Sequence, residues 1–169
     1  GYSYDSVVER FIDFCGQIVE FAEKDDVVLA VEPEPHMILN GGWFRRPIDD
    51  TLQLLKEVKS KNLTILYDST HAYVLSKGDP VGFLKALRGR VGWVHLADND
   101  GTLTPYIVTS KHLTFGEGKI DIEAVLRAMK ETCSHLRWLQ IDVWESPTPF
   151  QVAQENKKTV DAILKKISW

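Results

Sequence analysis

Glu32, Asp68, His95 and Asp142 each end a short apolar run: Val27 to Glu32 (VVLAVE), Leu63 to Asp68 (LTILYD), Val91 to His95 (VGWVH) and Trp138 to Asp142 (WLQID). Three carboxylates and an imidazole offer the oxygen and nitrogen donors that suit one divalent cation of the Mn, Mg, Co or Zn type, and no thiolate accompanies them. Runs of about four to eight residues rich in Val, Ile and Leu, separated by helix-like stretches, predict strands of a parallel sheet. Parallel strands point the same way. Their C-terminal ends therefore lie on one side of the sheet, where side chains distant in sequence converge on a single ion.

Further candidates flank these four. Glu34 and His36 follow Glu32 in the segment Glu-Pro-Glu-Pro-His, and Glu34 shares the face of Glu32 if extended geometry persists past Pro33. In Asp68-Ser-Thr-His71 the histidine turns into the same cleft as the aspartate, as a nitrogen for a metal or a sugar hydroxyl. His112 lies in the stretch Lys-His-Leu-Thr-Phe-Gly-Glu-Gly that opens a helix. Singly, each has an ordinary explanation: a solvated loop carboxylate, a helix-capping Asp, a packed His, a Gly-rich helix entry. Asp142 is the exception, because a carboxylate between Ile141 and Val143 in a run that reads as buried is expensive without a partner. The force of the pattern lies in its repetition at the same point of four successive units.

The elements that must hold these residues alternate. Ser6 to Lys24 places Val7, Val8, Phe11, Ile12, Phe14, Cys15, Ile18, Val19 and Phe21 at helical spacing. After the first strand, Pro33 to Arg46 reads as a loop whose Trp43, Phe44, Arg45 and Arg46 could cap a sugar or meet another part of the fold. Pro47 opens a helix to about Lys59 with Leu52, Leu54, Leu55 and Val58 inward. The second strand leads through Ser69 to Gly78 into a short helix, Pro80 to Leu87. The third strand, Val91 to Ala97, precedes a long loop, Asp98 to Gly118, and a helix, Asp121 to Lys130. The last strand ends at Val143, and a helix from Pro149 to Ile167 closes the chain.

Repeated βα units make a parallel sheet covered by helices, either open or closed into a barrel. A ligand type at every strand end favours the barrel, which brings all ends to one mouth. A complete (β/α)8 TIM barrel takes about 250 residues, so the 169 residues here amount to one domain with four βα units, a half barrel. Such a half leaves two sheet edges and an apolar face to be covered. A homodimer, or a missing N-terminal half in the same or a partner chain, would cover them.

Composition narrows the partners. A formal net charge of −4 is wrong for the basic field that nonspecific nucleic-acid binding needs. The opening Gly-Tyr-Ser-Tyr-Asp lacks the basic and apolar regions of a signal peptide, and no run is long and apolar enough for a membrane span. Cys15 and Cys133 share no metal or redox spacing and read as reduced structural thiols of a cytoplasmic protein.

These residues resemble the C-terminal half of the xylose-isomerase-like barrels, the superfamily of sugar and sugar-phosphate isomerases and epimerases that also holds the metal-dependent apurinic-site endonucleases. The resemblance covers the whole chain through LAVEPEPH, LYDSTHA, VHLADNDG, HLTFGEGKIDIEAVL and WLQIDVWES. It implies that Glu32, Asp68, His95 and Asp142 are the metal ligands, although the family more often has Glu at the fourth position. It implies that Glu32 and Asp142 act as base and acid on a sugar or sugar phosphate, through an enediolate, with His71 as a substrate contact; Glu34 and His112 are taken as further substrate contacts. The endonuclease alternative takes His112 as an extra metal-binding residue and needs three metals, but Ser110 stands where those enzymes have Asp. A third alternative is an inactive, interaction-only half barrel that binds no metal.

Overall fold

The computed structural model describes residues 1–35, 46–87, 89–104, 109–144 and 146–169. Four parallel strands, β1 (Leu29–Val31), β2 (Leu63–Asp68), β3 (Val91–Leu96) and β4 (Trp138–Ile141), lie side by side in chain order. Helices α1 (Tyr4–Lys24), α2 (Pro47–Glu57), α3 (Ser69–Leu75), α4 (Pro80–Ala86), α5 (Ile122–Thr132) and α6 (Pro149–Lys166) alternate with them. Sequential order without a reversal is the arrangement of consecutive barrel units, as the sequence predicts.

The core forms on one face of this sheet. In β2 burial alternates, with Leu63, Ile65 and Tyr67 inaccessible, and from β3 Val94 and Leu96 join them. Leu54 and Leu55 of α2, Phe83 and Leu84 of α4, and Val125, Leu126 and Met129 of α5 complete the cluster. Side chains of period two on the other face include Trp93 and Trp138, register partners whose rings stack 6.4 Å apart. Trp138 is 62% exposed, so this face is open to solvent.

Three expectations need correction. The stretch after β2, read as a connection, is helix α3: Asp68 ends the strand and also caps the helix by accepting from Thr70 N and His71 N, so no turn signal separates the two. The last strand is not a buried run but the sheet edge, with Gln140 and Trp138 exposed. Leu52 is 39% exposed rather than inward, and Phe14 and Phe21 leave the apolar stripe of α1 for its outer surface. The loop from Asp98 is a loop as expected, pinned by isolated antiparallel bridges that join Asp98 to Leu113 and Leu103 to Ser110.

Cys15 and Cys133 are free and buried, as expected of structural thiols. Among the described residues no helix is long and apolar enough to cross a membrane.

Candidate metal centre

Asp68 is the most buried acid of the group, 2% exposed. Its Oδ1 accepts from Thr70 N at 2.7 Å, Thr70 Oγ1 at 2.6 Å and His71 N at 3.0 Å. Its Oδ2 is buried and has no hydrogen-bond partner. An anionic oxygen left unpaired out of water is costly, unless a cation completes it.

His95, at the end of β3, is a neighbour of that oxygen and gathers the other two strand-end acids. His95 Nδ1 lies 3.8 Å from Asp68 Oδ2, 3.5 Å from Glu32 Oε1 and 3.4 Å from Asp142 Oδ2. One donor atom each from Glu32, Asp68 and His95 falls within 4.8 Å of the others, and Asp68, His71 and His112 form a second such group. Ligands about 2.1 Å from a tetrahedral ion stand roughly 3.4 Å from one another, so the spacing suits a small divalent cation. Glu32, Asp68 and His95 are thus together with oxygen and nitrogen donors that suit such an ion, and Asp142 reaches the group through His95.

Charge is arranged around the same point. Burial pushes the Glu32 carboxyl up, but hydrogen bonds and charge from His71 and His95 outweigh it and hold the group at about 2. His95 is raised above its ordinary value by Glu32 against the opposing effect of burial, with Asp142 and Asp68 adding to the rise. For Asp142, burial is outweighed by His112 and His95, which lower it. Burial lowers His112, yet Asp142 and Asp68 prevail and raise it.

The remaining candidates divide. His71, 3% exposed, turns Nε2 toward Glu32 Oε1 at 3.4 Å and Nδ1 toward Ser110 Oγ at 2.5 Å. His112 Nδ1 stands 2.8 Å from the Asp142 carbonyl oxygen, which can only accept, so this nitrogen donates; the ring stacks on Trp144 at 4.0 Å. His112 Nε2 is buried and has no partner. Glu34 accepts from Thr109 Oγ1 at 2.6 Å and so ties the loop after β1 to the loop after β3. Arg46, suggested as a sugar cap, is committed to Asp5 at 2.7 Å and Asp50 at 3.2 Å, between α1 and α2. His36, Trp43, Phe44 and Arg45 lie outside the described residues.

Sequence reasoning missed the supporting groups. Asp98 accepts from Gly116 N at 2.9 Å, Gly118 N at 3.0 Å and Ile120 N at 2.9 Å, which folds the loop that delivers Ser110 and His112. The Gly-Glu-Gly spacing is the trace of that clasp. Trp144 Nε1 donates to Asp142 Oδ1 at 3.2 Å and orients the fourth carboxylate. Thr70 and Ser110 leave no such trace, since isolated hydroxyl residues in a loop have no diagnostic spacing.

Residues 1–163 match the family described as xylose isomerase-like TIM barrel, and the chain belongs to it. Over 128 residues it is 31% identical to the uncharacterized protein MJ1311 of Methanocaldococcus jannaschii, covering 74% of this chain and 40% of that one. A crystal structure of a D-tagatose 3-epimerase-like protein superposes with TM-score 0.74 at 26% identity, over 95% of this chain and 55% of the other. The crystal structure of the IOLI protein with a binding zinc atom shares the fold, with TM-score 0.74 at 20% identity, over 99% of this chain and 59% of that one. The chain therefore spans between two fifths and three fifths of the length of these relatives.

Proposed function

We propose that residues 1–169 form a single domain, the C-terminal half of a divalent-metal-dependent sugar or sugar-phosphate isomerase or epimerase. The observation that carries this reading is the buried, unpartnered Asp68 Oδ2 beside His95 Nδ1, around which Glu32 and Asp142 also gather. Glu32, Asp68, His95 and Asp142 would hold one Mn, Mg, Co or Zn ion. Bound there, the ion would polarise a sugar carbonyl and its neighbouring hydroxyl. The similarity to an epimerase-like protein and the zinc of the IOLI structure support the reading.

The chemistry left to the chain is proton transfer. Glu32 and Asp142 follow the two edge strands of the sheet and so approach a substrate from opposite sides. One, as carboxylate, takes the proton from the carbon beside the carbonyl. The other enters the step protonated, gives its own proton to the opposite face of the enediolate and is left as carboxylate, and exchange with solvent resets the pair. Against the effect of burial, hydrogen bonds and charge from the surrounding imidazoles lower both carboxyls, which favours the ionised form that the base needs. His71 Nε2, at the rim of the same group, holds a substrate oxygen.

The open face with Trp93 and Trp138 supports completion of the barrel by an N-terminal half or by a second copy of the chain. Free buried thiols support a cytoplasmic setting. Elemental analysis beside solution mass, then ketoses and ketose phosphates assayed in deuterated water, tests the proposal. One ion per chain and metal-dependent deuterium uptake at the carbon next to the carbonyl are expected. A chain that binds no divalent metal in any assembly leaves only an interaction role.

The phosphodiesterase alternative keeps one favourable observation, the buried unpartnered Nε2 of His112, whose Nδ1 lies 3.9 Å from Asp68 Oδ2. Three ions per chain and cleavage at an abasic site would select it over the isomerase.

A further inference from the structure

We propose that Ser110 is a positioning residue that fixes the tautomer of His71 through a one-way chain of hydroxyl hydrogens running from His71 by Ser110 and Thr70 to Asp68. The assignment follows from counting hydrogens. Asp68 Oδ1 already accepts from two backbone N–H groups, so at its 2.6 Å contact with Thr70 Oγ1 the hydrogen belongs to the threonine. Thr70 has no second hydrogen. At its 2.6 Å contact with Ser110 Oγ it must accept, and the serine donates. Ser110 has then spent its own hydrogen, so at 2.5 Å from His71 Nδ1 it accepts, and the imidazole carries the hydrogen on Nδ1. The reverse assignment would press two oxygens together at 2.6 Å with no hydrogen between them.

All the members are buried: Thr70 and Ser110 are 0% exposed, Asp68 2% and His71 3%. Water does not compete for the chain, so its direction persists. When the ring is neutral, its one hydrogen is therefore on Nδ1 and Nε2 faces Glu32, 3.4 Å away, as a lone pair; when the ring is charged, Nε2–H donates to Glu32 instead. A lone pair beside a carboxylate oxygen is poorly placed unless something donates to it. A sugar hydroxyl is a donor of the right kind, so Ser110 makes His71 an acceptor for substrate O–H rather than a donor to a substrate oxygen. That functional consequence rests on the isomerase reading above; the tautomer does not.

The test is the ring-nitrogen NMR spectrum of the 169-residue chain, labelled with 15N-histidine, freed of metal with a chelator and held at alkaline pH where imidazole is neutral. His71 should show a protonated Nδ1 and an unprotonated Nε2, and Ser110→Ala should lose that pattern in favour of a tautomer mixture. Ser110→Thr, which keeps a hydroxyl, should restore it. In the complete enzyme, Ser110→Ala should lower kcat by about 10- to 100-fold with KM changed less, as for other groups that orient a site histidine. A wild-type His71 protonated on Nε2 overturns the proposal without recourse to any variant, as does a Ser110→Ala chain with the wild-type tautomer. The expected tautomer in a chain that isomerises no sugar would refute the isomerase reading and leave the relay standing.

Discussion

Asp68 and His95 are register partners across β2 and β3, and their side chains leave the sheet on one face with Asp68 Oδ2 3.8 Å from His95 Nδ1. Their proximity is a property of the backbone ladder, so it does not wait for an ion. The site is largely preformed, and ion binding need not order the strands that hold it.

Replacing Asp68 with Asn separates the two roles of its carboxylate. Oδ1 keeps its acceptor work at the start of α3, whereas the unpartnered anionic oxygen becomes a neutral amide. Metal affinity should fall by about 100-fold or more, the upper end of what the loss of a supporting partner does and a floor for a ligand itself. The metal-free chain should melt no earlier than wild type, because a buried anionic oxygen without a hydrogen bond has gone. Isothermal titration and thermal melts check both. Undiminished affinity would remove Asp68 from the ligand set.

The pH dependence of stability should change character with metal. Glu32 and Asp142 have lowered values in the fold, so without metal their contribution is present above the ordinary carboxylate range and is lost as pH falls through the folded values, about 2 for Glu32. His95 and His112 are raised, so their contribution is complete below the ordinary 6.5 and is lost as pH rises through the folded values. Metal-free stability should thus decline from mildly acidic to mildly alkaline pH. The added stability from a saturating divalent ion should grow over the same interval, as the ion displaces the proton of His95. Urea titrations at several pH values, with and without metal, measure the two slopes; slopes of one sign would contradict the arrangement.

Gly118→Ala tests the loop that carries Ser110 and His112. A Cβ there would lie 2.2 Å from Asp98 Oδ1 and 2.6 Å from the Asn99 backbone nitrogen, in the clasp that holds Gly116, Gly118 and Ile120. Overpacking of this kind costs about 1–3 kcal/mol, and relief by shifting the loop would disturb His112 against Asp142. Denaturant midpoints and metal affinity should both fall. A variant equal to wild type in both would show the loop to be more yielding than its contacts imply.

How far this molecule was legible from its residues follows from what periodicity carries. Period-two runs bounded by turns mark strands, and a parallel ladder then dictates that Glu32, Asp68, His95 and Asp142 share an end. Periodicity says nothing about a strand's place in the sheet, so β4 read as buried although Trp138 and Gln140 face solvent. Nor does it say how wide a stripe of helix is covered, which is why Leu52 read as inward and Phe14 and Phe21 counted toward the apolar spacing of α1 although all three are exposed. α3 stayed hidden because a single residue, Asp68, ends one element and caps the next. The Thr70 and Ser110 hydroxyls depend on a contact between residues 40 apart, which no local pattern encodes.

The most direct test of the account is anomalous diffraction from crystals of the chain grown with Mn2+, in its complete assembly. The account predicts one strong peak per chain at roughly 2.0–2.3 Å from oxygens of Glu32, Asp68 and Asp142 and from Nδ1 of His95. No peak there, or an ion bound elsewhere while these four side chains stay unligated, would contradict it.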